Sequence, residues 1–270
     1  MRFSVLVNTY NRARFLDLVL TAWRRQASPD FEIVVADDGS DDDTAEVVRR
    51  HGQDAPFPIV HVAHRRRGHR RAAILNRAIA ASQAGVLLFT DADCLPAADL
   101  LARHAEAFRE GRMLLGGRVR LSEEETARMT AEAAAQGEYE RCLSPAWRRR
   151  LDSEHRRNRV QIALRRRRRP HNLGVNFSVE KWALYAVNGY DENFEGWGNA
   201  DGDLRERLKR VGVRPLSIWN RAVVFHLEHP PDPTRAEKRN AAYARRAEIP
   251  FWCRRGLVQV PPYDDSGVPA

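Results

Sequence analysis

A chain of 270 residues that is 43% hydrophobic can bury one substantial core with room for a small appended subdomain, and no stretch approaches the ~18 uninterrupted apolar residues of a membrane span. The net charge is +9, yet only three of the 45 basic residues are lysines (Lys181, Lys209 and Lys238), which leaves 42 arginines; a GC-rich coding sequence produces the same bias, so charge alone does not argue for a nucleic-acid partner. Cys94, Cys142 and Cys253 form neither a close pair nor a metal-type spacing, and Arg2 to Val7 runs directly into strand-like sequence with no export signal. A cytoplasmic setting is therefore expected.

Taken in chain order, the first hundred residues alternate strand and helix patterns. Phe3 to Val7 reads as a strand, and Ala13 to Arg25 as an amphipathic helix with Phe15, Leu16, Val19, Leu20 and Trp23 on one face. Phe31 to Ala36 is a second strand, followed by a helix from Thr44 to His51 with Asp41, Asp42 and Asp43 at its positive end. A short strand at Ile59 to Val62, a helix at Arg71 to Gln83 and a buried strand at Val86 to Thr90 complete the series. Such alternation predicts a three-layer α/β fold with a mainly parallel sheet, whose ligands collect beyond the carboxyl ends of the strands. Leu121 to Val160 reads as mostly helical with a break at Pro145. His171 to Val179 and Arg221 to Leu227 read as strands, Ala200 to Val211 and Ala236 to Glu248 as helices, and the tail after Pro261 as loose.

Two acidic clusters carry the chemistry. Thr90-Asp91-Ala92-Asp93 closes an apolar strand, and two carboxylates at i and i+2 suit a hard cation that bridges protein to a diphosphate. The bland alternative is an acidic pair opening a helix before Pro96. Asp37-Asp38-Gly39-Ser40 likewise ends a strand, where a carboxylate can accept a uracil N3–H or merely cap a turn. Further along, Gly196-Trp197-Gly198-Asn199-Ala200-Asp201-Gly202-Asp203 places carboxylates beside an indole, which suits a sugar acceptor and its base. Arg65 to Arg67 and Arg165 to Arg169 are either solvated loops or contacts for a diphosphate, an acidic acceptor or lipid headgroups, so peripheral contact with the inner face of a membrane stays open.

Asn8-Thr9-Tyr10-Asn11-Arg12, Asp37 to Ser40, Gly68-His69-Arg70-Arg71-Ala72-Ala73-Ile74-Leu75-Asn76 and Thr90 to Asp93 occur in the order and spacing of family 2 inverting glycosyltransferases with the GT-A fold, which the first 110 or so residues resemble. That resemblance implies Asn8, Tyr10, Asp38, Arg70 and Asp91 around a nucleotide sugar, with Tyr10 stacked on the base, Asp38 reading uracil and Asp93 ligating Mn²⁺ or Mg²⁺. The stretches Asn172 to Ser178, Gly189 to Phe194, Gly196 to Leu204 and Phe225 to Pro230 resemble the acceptor segment of β-1,4-galactosyltransferases and bacterial chondroitin-type polymerases. By that likeness Asp201 is the catalytic base, His226 a further metal ligand in preference to His229, and Asn176, Trp197 and Asp203 acceptor-binding residues. Ala200 replaces the glutamate of the pattern, which separates this chain from the family's acceptor preference.

The expectation is thus one GT-A domain over residues 1–270, with a nucleotide-sugar half (1–110), an acceptor half (111–235) and a C-terminal helix and tail (236–270). It would perform metal-dependent transfer, with inversion, from a UDP-sugar to a saccharide, lipid-linked saccharide, natural product or peptide. Two other readings compete. A sugar nucleotidyltransferase would carry a glycine-rich phosphate loop, but residues 5–16 contain no glycine. A non-catalytic polyanion-binding protein would explain the arginines but not three aspartate pairs at strand and loop edges.

Overall fold

The computed structural model describes residues 2–27, 30–166, 170, 174–231, 237, 240–244 and 248–258. Four strands come first: β1 (Phe3–Thr9), β2 (Phe31–Asp37), β3 (Ile59–Ala63) and β4 (Val86–Asp91). They alternate with α1 (Ala13–Trp23), α2 (Thr44–Asp54) and α3 (Arg71–Ala81). β1 pairs in parallel with both β2 and β4, and β2 with β3. Apolar side chains leave these strands on both faces, so each reads as a near-continuous hydrophobic run. Val5, Val7, Ile33 and Val35 pack on one side with Leu16, Val19, Leu20 and Trp23 of α1. Leu6, Val34, Ala36, Leu87 and Phe89 pack on the other with Ile74, Leu75 and Ile79 of α3. Helices on both faces give the three expected layers.

The second half adds β5 (Cys94–Pro96), α4 (Leu100–Ala107) and β6 (Arg112–Arg120). Short helices α5 (Glu123–Ala127) and α6 (Ala131–Gln136) and a 3₁₀ turn at Glu138–Cys142 lead into the long α7 (Pro145–Ala163). Pro145 opens α7 rather than breaking a helix: its missing N–H is harmless in the first turn, and Ser144 Oγ caps the Trp147 N–H at 3.3 Å. β7 (Phe177–Glu180), α8 (Lys181–Ala186), α9 (Ala200–Arg210), β8 (Arg214–His226) and the short α10 (Ala241–Ala244) follow. Among the described residues the strands form one mixed, mostly parallel sheet in the order β3-β2-β1-β4-β7-β6-β8-β5. Much of the helix expected over 236–248 and most of the Arg165–Arg169 run lie outside the described residues. No described helix is long and apolar enough to cross a membrane.

Candidate functional site

Order reverses between β1 and β4, because β1 is followed in the sheet by β2 on one side and by β4 on the other. The crevice beyond the carboxyl ends of such strands is where an open α/β sheet binds its ligands. Asn8 and Asp91 are register partners there, and Asp38 follows the end of β2. Asp93 reaches its partners through a second register. β5 pairs antiparallel with β8 so that Cys94 faces His226, and the Leu227 N–H donates to the Asp93 carbonyl at 2.8 Å. These two constraints bring residue 93 beside residues 226 and 229, distant in sequence.

The outcome is a compact donor set. His229 Nε2 lies 2.8 Å from Asp93 Oδ2, and His226 Nε2 lies 3.7 Å from Asp93 Oδ1. One ligand atom from each of the three residues falls within 4.8 Å of the others. His229 Nδ1 sits 2.7 Å from the Pro230 carbonyl and 3.1 Å from the Arg12 guanidinium, contacts that hold the ring with Nε2 turned toward Asp93. An imidazole nitrogen and a carboxylate oxygen at 2.8 Å can share a proton or a metal ion. Burial pulls the Asp93 carboxyl upward, but the His229 hydrogen bond, the nearby His226 and Cys94 outweigh it and hold it at about 2. Hydrogen bonding to Asp93 raises His229, whereas burial lowers His226 and keeps that ring neutral. One oxygen and two imidazole nitrogens suit Mn²⁺, so the residues present fit a divalent ion. His229, ranked below His226 on sequence, makes the closer contact.

Next to this set lies a second cluster. The Arg71 guanidinium, in the first turn of α3, donates to Asp201 Oδ1 at 3.1 Å and to Asp91 Oδ1 at 3.3 Å. Tyr190 Oη also donates to Asp201 Oδ1, at 2.9 Å. Both donors converge on one oxygen, and the other, Oδ2, faces Gly174, where an added Cβ would fall 2.6 Å away. Burial pushes Asp91 up to about 6; Arg71 opposes that rise, and the charges of Asp93 and Asp201 add to it. Asp91, Asp93 and Asp201 meet in this crevice, and such a gathering of carboxylates is a further reason for it to take a cation.

The pocket expected for a base is filled by the protein's own side chain. Asp38 is 3% exposed; its carboxylate accepts from His64 Nε2 at 2.6 Å, from Arg66 at 2.5 Å and from the Arg70 backbone N–H at 2.9 Å. The Arg66 guanidinium also lies 3.6 Å over the Tyr10 ring. A planar cation thus occupies the slot between aromatic ring and carboxylate. Gly39, at φ +81°, lets the 64–66 segment come this close: a Cβ there would meet Arg66 N at 2.7 Å. Arg70 contributes its backbone N–H to this cradle.

Two of the residues expected to bind the acceptor are engaged by the protein's own groups. Asn176 is 2% exposed and lies beneath the site: its Nδ2 donates to the Gly117 and Ala222 carbonyls at 2.9 and 3.0 Å, and its Oδ1 accepts from His104 Nε2 at 3.0 Å. The amide ties β6 to β8 and has no face left for an acceptor; Gly116 is required beside it, because a Cβ there would fall 2.2 Å from Nδ2. Asp203 is 3% exposed and pairs with the buried Arg207 at 2.7 Å, while Arg207 also donates to the Val187 and Gly189 carbonyls. The carboxylate thus braces, within α9, the arginine that ties this helix to the Val187–Gly189 segment. Trp197 is 47% exposed, in a loop held by the Asn240 amide at the Gly196 and Gly198 carbonyls and by Gly196 N–H to the His69 carbonyl. Sequence reasoning passed over Arg71, which sits in a motif it singled out, next to the arginine it chose.

Residues 4–182 match the family described as glycosyl transferase family 2, and residues 156–230 match the one described as N-terminal domain of galactosyltransferase. Among similar proteins, the validoxylamine A glucosyltransferase of Streptomyces hygroscopicus subsp. jinggangensis is 30% identical over 226 residues, covering 80% of this chain and 53% of that protein. The chondroitin synthase of Escherichia coli is 26% identical over 245 residues, covering 84% of this chain and 35% of that protein. The chain therefore spans about a third to a half of the length of these relatives. The structure of a mannosyltransferase from Pyrobaculum calidifontis, in complex with GDP-Man and Mn²⁺, superposes with a TM-score of 0.63 at 21% identity, covering 92% of this chain and 66% of that one. At that identity the likeness establishes the fold, which is GT-A.

Proposed function

The chain belongs to glycosyl transferase family 2, and from that premise we propose that it moves a sugar from a nucleotide sugar to an acceptor hydroxyl, with inversion at the anomeric carbon, within a single domain whose residues 1–110 hold the donor and 111–235 the acceptor. The observation that carries this reading is the adjacency, at the ends of β4 and β8, of a cation-seeking triad and a carboxylate oriented by Arg71 and Tyr190. Asp93, His226 and His229 would hold Mn²⁺ or Mg²⁺, an ion that neutralises charge on a departing diphosphate. Asp201 takes the proton from the acceptor hydroxyl. Arg71 and Tyr190 fix that carboxylate through Oδ1, so rotation does not spoil its aim.

Asn8, Tyr10, Asp38, Arg70 and Asp91 form the donor side. Uracil would take the slot now filled by Arg66, stacking on Tyr10 and donating its N3–H to Asp38 once the Arg66 side chain swings outward. The mannosyltransferase structure, solved with GDP-Man, makes guanine the natural competitor. A thermal-shift series with UDP, GDP and their sugars, each with and without Mn²⁺ or Mg²⁺, tests the donor and the ion, because a ligand that binds only the folded state raises Tm by mass action. A rise that needs the divalent ion supports the reading, and a larger rise with UDP than with GDP supports the base assignment. If no nucleotide raises Tm with either ion, the reading is wrong. Proton NMR of the anomeric centre before and after transfer reads the stereochemistry, and retention would refute the single displacement.

A further inference from the structure

A cavity of about 470 Å³ lies between α7 and the β6–β8 pair, within the size range of small-molecule sites. A break in register creates it. Gly116 pairs with Ile218, but the next residue, Gly117, pairs with Val223, so residues 219–222 swing out of the ladder. Gly117 permits this: a Cβ there would collide with the Trp219 carbonyl at 2.1 Å. α7 then roofs the space left beside the excursion.

Donors dominate the lining. Arg118 and Arg120 enter from β6, Arg150 and Arg157 from α7. Among the described residues, Arg118, Arg120 and Arg150 make no salt bridge, and the acidic member of the lining, Glu154, is offset by Arg157 at 3.6 Å. Among the described residues, two more donors are buried with no hydrogen-bond partner: Trp219 Nε1 and Asn158 Nδ2. Asn158 is 5% exposed, and a buried N–H without an acceptor is a costly arrangement that a bound acceptor atom relieves. The indoles of Trp147 and Trp219 also line the cavity, and Arg150 stacks over Trp147 at 4.8 Å. Such walls suit the C–H face of a sugar ring.

The cavity adjoins the cation-seeking triad. Arg120 is the register partner of His226, and Arg118 lies within electrostatic reach of Asp93 and Asp91.

We infer that this cavity is the acceptor subsite, and that the acceptor is a sugar bearing an anionic group, a carboxylate or a phosphate, held by the four arginines with its ring against Trp147 and Trp219. The inference rests on the glycosyl-transfer reading and names the substrate class it serves. Arginine forks match both anions bidentately, so probes must separate them.

The test measures binding of p-nitrophenyl β-glucuronide against p-nitrophenyl β-glucoside, and of glucose 6-phosphate against glucose, by calorimetry with Mn²⁺ and UDP present. Each pair is run on the protein and on an R150Q/R157Q variant, whose two replaced side chains are exposed on α7. At least one anionic probe is expected to bind about tenfold more tightly than its neutral partner, and the pair that responds tells carboxylate from phosphate. The preference should fall several-fold in the variant, which keeps Arg118 and Arg120, while UDP affinity is unchanged. Equal affinity for charged and neutral probes, or a preference undiminished in the variant, overturns the inference and leaves the donor reading intact. Failure of UDP to bind the unaltered protein in the same titrations instead overturns the transfer reading.

Discussion

His104 on α4 is fully buried and its ring ties that helix to the β7 segment at Asn176 and Ser178 beneath the site, which makes acidification a sharp perturbation. Nε2 lies 3.0 Å from Asn176 Oδ1 and Nδ1 lies 2.8 Å from Ser178 Oγ. Because the Asn176 amide nitrogen is committed to two carbonyls, Oδ1 must be the acceptor; the network therefore assigns the proton to Nε2 and leaves Nδ1 to accept from the serine hydroxyl. Burial pushes the ring's pKa down from 6.5 to about 4. A depressed histidine binds fewer protons folded than unfolded, so its contribution is complete above pH 6.5 and is lost as pH falls toward 4. Taking those two values, the loss is about 2 kcal/mol at about pH 5, approaching about 3 kcal/mol in stronger acid. Urea unfolding at about pH 7.5 and about pH 5, on the protein and on His104→Gln, isolates this part. Glutamine can keep a donor and an acceptor in place but cannot titrate, so the unaltered protein should lose about 2 kcal/mol more than the variant over that interval. Parallel losses would refute a neutral, proton-excluding His104.

Asp201→Asn should lower turnover by about 10²–10⁴ while Mn²⁺-dependent nucleotide affinity is retained; near-normal transfer would remove the base assignment. Because His229 makes the closer contact with Asp93, His229→Ala should raise the Mn²⁺ concentration needed for half-maximal nucleotide binding by about tenfold or more, and an unchanged titration excludes it as a ligand. Asp203→Ala leaves Arg207 charged and buried and should cost about 3–5 kcal/mol in chemical denaturation. An unaltered midpoint with a raised acceptor KM would restore the acceptor-binding role suggested by its motif.

β1, β2 and β4 were legible because each is a short, mostly apolar run closed by Asn or Asp, and strands buried on both faces leave that trace. β6 left a weaker one, since Gly116 and Gly117 interrupt its run for the sake of Asn176 and Trp219. Polar residues near the site proved harder to sort than the strands. Asn176 and Asp203 sit in motif positions that favour polar side chains, but a sequence does not reveal whether such a group meets a ligand or, as here, two carbonyls or a buried arginine. Arg71 was hidden by composition: among 42 arginines, one bridging two aspartates has no local mark. The nearness of His229 to Asp93 left no trace, because His-Pro-Pro reads as a strand stop and the β5–β8 register is what brings the two together.

The interleaving of the sheet bears on how such a protein can be recombined. β4 presents its outer edge to β7, from more than eighty residues later, and β5 is tied to the last strand of the sheet. A fragment cut near residue 110 would leave β4 unzipped along one side, its amides and carbonyls bare to any passing strand. Chimeras that exchange sugar-carrier specificity between relatives should therefore graft loops at the crevice and keep every strand with its native neighbour, because no seam in the chain coincides with a seam in the sheet.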